Sequence, residues 1–130
     1  PVCNKFYIGS GGCSCTSGSS TTSTIFITTT TNTTSHAITI PAHVAGDFLL
    51  VHFACDGNPT ITVNAGSSAG WSAVTQASNG ATVTGAWLWK TATAAGHTLT
   101  LDTSVAEQST HTVYVIRPDP NCECTVEGTS

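Results

Sequence analysis

The sequence predicts an all-β protein: a single two-sheet β-sandwich, jelly-roll or immunoglobulin-like, with about eight strands and extended cysteine-bearing ends. Three observations carry that expectation. Thr, Val and Ile are abundant, and β-branched side chains suit a pleated surface and disfavour helix. Apolar and polar residues alternate with a period of two in several short runs. Turn formers separate those runs at short, regular intervals.

The runs follow in order. Thr22–Thr30 and His36–Ile40 come first, with His36, Ile38 and Ile40 on one face. Phe48–Cys55 (FLLVHFAC) is apolar on both faces, as expected of a central strand. It is framed by Gly46-Asp47 before it and Asp56-Gly57-Asn58-Pro59 after it. Thr60–Asn64, Trp71–Ala77 and Ala81–Thr91 follow. Between the last two, Asn79-Gly80 is a strong hairpin signal, predicting a type I′ turn with positive φ at both positions. His97–Asp102, with His97, Leu99 and Leu101 on one face, and Ser109–Arg117, with Val113 and Val115 on one face, complete the set.

Composition divides the chain into a Gly/Ser/Cys arm (1–20), the strand-bearing domain (21–118) and a short acidic tail (119–130). The 130 residues suffice for one core. Only 3 basic residues stand against 7 acidic ones, too few to neutralise a row of phosphates, so nucleic acid is not an expected partner. No stretch nears the roughly 18 apolar residues of a membrane span. With Pro1 first and no Met anywhere, the expectation is synthesis in a cytoplasm after removal of an initiator Met. Ser and Thr far outnumber the charges, as suits a protein packed against neighbours or working outside a cell.

Chemistry-bearing constellations are few. The five histidines show no HExxH, HxH or other paired spacing, and are expected to be structural. Asp47 and Asp56 read as turn residues that accept backbone N–H groups. No G-x-S-x-G marks a nucleophile. No catalytic residue, cofactor or resident metal is therefore expected, and the protein reads as a non-enzyme. Trp87 and Trp89 share a face with Val83, which predicts a core position because Thr82, Thr84 and Lys90 look like the exposed side. Stacked indoles also suit a sugar ring, so the pair is the candidate ligand-binding surface.

The cysteines are the most distinctive feature. Cys55 ends a core strand and reads as a small buried hydrophobe. The other five, Cys3, Cys13, Cys15, Cys122 and Cys124, fall in the terminal segments. Each C-x-C offers two thiols on one side of an extended chain, and two such segments laid side by side could form a double bridge. A disulfide tying flexible ends contributes about 2–4 kcal/mol. The rival is a zinc site of Cys13, Cys15, Cys122 and Cys124, although structural zinc pairs are usually separated by two or more residues. The odd fifth cysteine would be free or shared with another chain.

From Ile38 to Arg117 the sequence resembles small β-sandwich domains of tailed-bacteriophage virion proteins, of capsid-decoration, tail or fibre type. The matching elements are IPAHVAGD (Ile40–Asp47), DGNPT (Asp56–Thr60), Gly70-Trp71, WLWK (Trp87–Lys90), EQS (Glu107–Ser109) and YVIR (Tyr114–Arg117). None is a catalytic motif. The resemblance implies a virion structural protein, most simply a capsid-decorating (cement) subunit that stabilises a bacteriophage head. It would form a homo-oligomer, a trimer being the first guess, and contact the major capsid protein or other virion proteins. A fibre or adhesin-type glycan-binding module, and an extracellular filament subunit assembled by strand addition, are the alternatives.

Overall fold

A computed structural model describes residues 6–8, 11–15, 21–73, 76–118 and 122–125. The described residues are all β, without helix, so no helix is long and apolar enough to cross a membrane. Among the described residues the strands form two sheets. The small one contains β1 (Phe6–Ile8), β2 (Gly11–Cys15) and β10 (Cys122–Thr125), in the order β1-β2-β10. The large one is an open antiparallel sheet of seven strands. They are β3 (Thr21–Ile38), β4 (Phe48–Asp56), β5 (Ile61–Val63), β6 (Ser72–Ala73), β7 (Ala77–Asn79), β8 (Val83–Thr91) and β9 (Leu99–Arg117). The main path runs β3-β9-β4-β8-β6, with β5 on β9 and β7 on β8.

Two pairs of expected strands are single long ones. Thr22–Thr30 and His36–Ile40 merge as β3, and His97–Asp102 and Ser109–Arg117 merge as β9. The intervening residues, Thr31–Ser35 and Thr103–Gln108, are mostly polar but hold no Gly or Pro, so nothing in them breaks a strand. The register slips between Thr29 and Thr33 and again between Thr33 and Ser35. Such irregularities bend a strand and increase its twist. Trp71–Ala77 is likewise two short strands, β6 and β7, with Val74 and Thr75 outside the described residues.

The main core draws on both ends of the long strands. Ile38, Leu99 and Leu101 from beyond the bend cluster with Val51, Phe53, Cys55, Leu88 and Val113. Leu49, Val51, Phe53, Leu101 and Val113 are fully buried. Each such side chain contributes roughly 1.5–3 kcal/mol relative to exposure. As expected, β4 is apolar on both faces and central, pairing with β8 on one side and β9 on the other.

The hairpin at Asn79-Gly80 forms, but with a different turn. Only Gly80 has positive φ (58°), and the loop runs Gly80–Thr82, closed by the Thr82 N–H donating to the Asn79 carbonyl at 3.2 Å. A three-residue loop needs the left-handed conformation at one position rather than two. Asp47 takes the expected turn role, accepting the Val44 N–H at 2.8 Å. It also accepts two bonds of 2.8 Å from Arg117 at the end of β9, pinning the β4 start to the chain's far strand. The Arg117 hydrogen bond, reinforced by that of Val44 and opposed by burial, holds the Asp47 carboxyl below the usual range.

Candidate functional site

The two edges of the large sheet differ in kind. On the β8 side the sheet ends in β6 and β7, of two and three residues. Short strands offer little backbone for unwanted pairing. On the other side the edge is β3, eighteen residues long. Its sequence, TTSTIFITTTTNTTSHAI, contains no Asp, Glu, Lys, Arg or Pro. The residues before the register slip, Thr21–Thr29, pair without interruption with Ser109–Arg117 of β9. Among the described residues no strand pairs with the outer side of β3. This stretch is a regular, uncharged template for another strand, without the Lys, Pro or inward charge that usually blunts an edge.

Beside that edge lies an aromatic sheet face. Register places Phe26, Thr112, His52 and Trp87 in one row across β3, β9, β4 and β8. The next row reads Thr24, Tyr114, Leu50, Trp89 and Ser72. Trp87, Trp89 and Tyr114 are half-buried against Phe48, Leu50 and Ile116, while Phe26 is 64% exposed. The His52 ring lies 4.5 Å from Trp87, tilted by 37°.

This arrangement corrects the expectation for β8. Trp87 and Trp89 do share a face, but it is the more accessible one. Thr84 and Lys90, expected outside, are buried. Each buried polar group is satisfied, which is why a simple polarity pattern misjudged the side. Thr84 Oγ1 donates to the Gly57 carbonyl at 2.9 Å, and Lys90 Nζ donates to the Ala69 carbonyl.

The histidines hold the fold together. His36 is buried between Ser109 (2.9 Å to Nδ1) and Thr103 (3.2 Å to Nε2), and its ring meets Phe53 edge-on at 5.1 Å. The Thr103 hydroxyl donates to the Val105 carbonyl at 2.8 Å, so it accepts from Nε2–H, and Ser109 donates to Nδ1. His111 Nε2 accepts the Thr39 N–H, His43 Nε2 accepts the His97 N–H, and His97 Nε2 accepts the Thr93 N–H. All four are in use as neutral rings.

Burial pushes His36, His52, His97 and His111 below the ordinary 6.5. Lowered histidine pKa values mean that the unfolded chain binds more protons once the pH drops below that value. Their stabilising contribution is complete above about pH 6.5 and lost progressively as the pH falls towards the folded-state values. Thermal melts should show a midpoint that falls between about pH 7 and pH 5, before Asp47 protonates. His36→Gln should flatten that slope; a midpoint constant over this interval would contradict the assignment of neutral, buried rings.

Four of the five terminal cysteines, expected in extended ends outside the strands, lie in paired strands. In the small sheet Cys15 stands opposite Cys122, Ser14 opposite Glu123 and Cys13 opposite Cys124. Cys3 lies outside the described residues. Cys55 is a buried free thiol, 3% exposed, its pKa pushed up to about 11 by burial and then by Glu107 and Asp56. Among the described residues no three His, Cys, Asp or Glu side chains are grouped to hold a metal ion.

Sequence reasoning found the tryptophan pair and the C-x-C segments but missed the length of the β3 edge. The one available signal was the lack of Gly and Pro between Thr21 and Ile38. Comparison with protein-family models, with curated proteins and with solved structures finds no match.

Proposed function

We propose that this protein is a non-enzymatic structural subunit that associates with further copies of itself through the outer side of β3. Its setting is a bacteriophage virion, most simply as a capsid-decorating subunit bound to the major capsid protein. One observation carries the assembly reading: a long, uncharged, proline-free edge strand whose outer backbone groups face no strand among the described residues. Such an edge is an aggregation liability in a free monomer and a binding surface in an ordered assembly. The sequence resemblance to virion sandwich domains supports the setting. The bend in β3 and β9, which brings Leu99 and Leu101 over Val51 and Phe53, supports a sandwich-like closure of the core.

A density map of purified virions tests the setting. The expected result is this chain on the outer surface of the head, with β3 against a neighbouring copy. Its absence from the particle would overturn the virion assignment.

The half-buried Trp87 and Trp89 favour one second reading, a glycan-binding fibre or adhesin module. Quenching of indole fluorescence by a host-surface glycan, lost in Trp87→Ala, would favour it over a purely cementing role.

A further inference from the structure

The small sheet unites the two ends of the chain, and its described strands bring few apolar residues of their own. Its described residues are FYI, GGCSC and CECT, so Phe6, Tyr7 and Ile8 are the only large apolar groups. A three-stranded sheet needs an apolar face or a packing partner for stability, and two of these residues are Gly, the costliest to order. The four cysteines occupy four of its twelve positions.

Their placement is specific. Residues two apart on a strand share a face, and so do residues opposite each other in a ladder. Cys13, Cys15, Cys122 and Cys124 therefore lie on one face as two directly opposed pairs. Opposed pairs alternate along an antiparallel ladder between Cα separations of about 5.5 and 4.5 Å, so these two, separated by one pair, are of the same kind. Either spacing falls within the roughly 4.4–6.8 Å that a disulfide spans. The diagonal combinations, at about 7–8 Å, fall outside it.

We propose that the small sheet carries two parallel cross-strand disulfides, Cys13–Cys124 and Cys15–Cys122, which clamp the N-terminal segment to the C-terminal one within a single chain. Each bond forms when two thiols give up two protons and two electrons to a glutathione-type disulfide, which departs as two thiols. The first bond closes nearly the whole chain into a loop; the second, two residues away, fixes the strand register. Zinc fits the same residues less well, because four ligands from one face of two flat strands, paired as C-x-C, do not surround an ion tetrahedrally. The clamp is independent of the proposed edge association, since it uses the other sheet.

Thiol counting tests it. In a Cys3→Ser background, protein oxidised with glutathione disulfide and then unfolded without reductant should take up one alkyl label, on Cys55. After reduction it should take up five. Two double variants then read the register. Cys13→Ser with Cys124→Ser keeps the opposed pair Cys15 and Cys122 and should again show one label. Cys13→Ser with Cys122→Ser keeps the diagonal pair Cys15 and Cys124 and should show three. Five labels without reductant, stoichiometric zinc released by a chelator, or a diagonal pair that closes as fully as the opposed one would overturn the proposal.

Discussion

Phe53→Ala is expected to destabilise the protein by about 3–5 kcal/mol. Phe53 is fully buried at the centre of β4, opposite Ala86 on β8 and His111 on β9. Its ring supports the edge of His36, so truncation removes apolar burial and also frees a ring that orders Ser109 and Thr103. The cavity cannot collapse easily, because hydrogen-bonded strands hold β4 on both sides. Against a typical total of about 5–15 kcal/mol, the loss leaves the fold marginal. Phe26→Ala is the natural control: with 64% of its surface exposed, it should change stability by no more than about 0.5 kcal/mol. Urea unfolding measures both, and a Phe53→Ala cost similar to that of Phe26→Ala would mean that the core is not centred on β4.

Much of the fold was legible because β4 and the halves of β9 obey simple rules. FLLVHFAC has no polar face, and a strand that is apolar on both faces belongs in the middle of a sheet. Alternation in His97–Asp102 and Ser109–Arg117 identified Leu99, Leu101, Val113 and Val115 as inward, and all four are buried. Continuity was harder to see. Thr31–Ser35 looks like a loop because it is polar, but an edge strand next to solvent can be polar throughout. The facing of β8 was also hidden, since Lys90 and Thr84 read as solvent-exposed until their carbonyl partners, Ala69 and Gly57, are known.

The candidate sites were legible to different depths. The spacing of Trp87 and Trp89 gave their shared face, but not His52 and Tyr114 beside them, which come from β4 and β9 through pairing that no local pattern encodes. The C-x-C spacing showed two thiols per segment. Only the register of β2 with β10 sets Cys13 against Cys124 and Cys15 against Cys122. The edge character of β3 depends on which strands pair with β9, a non-local property.

Self-association through the outer side of β3 is tested most directly by placing charge on that edge. Thr24 and Thr28 are exposed, flank Phe26, and lie in the regular part of the ladder, opposite Tyr114 and Thr110. Lysine at both positions leaves the core untouched and should alter monomer stability by no more than about 0.5 kcal/mol. Where two copies meet along β3, the added charges face each other or an apolar surface, and such juxtaposition costs several kcal/mol, roughly a 100-fold or greater weakening of association. A control with Ala81→Lys and Ala95→Lys carries the same added charge on exposed loops away from β3. Sedimentation velocity on the three proteins decides. Oligomers are expected for the unmodified chain and the loop control, and a folded monomer for Thr24→Lys with Thr28→Lys; a monomeric unmodified chain, or an oligomer that survives the edge lysines, would overturn association through β3.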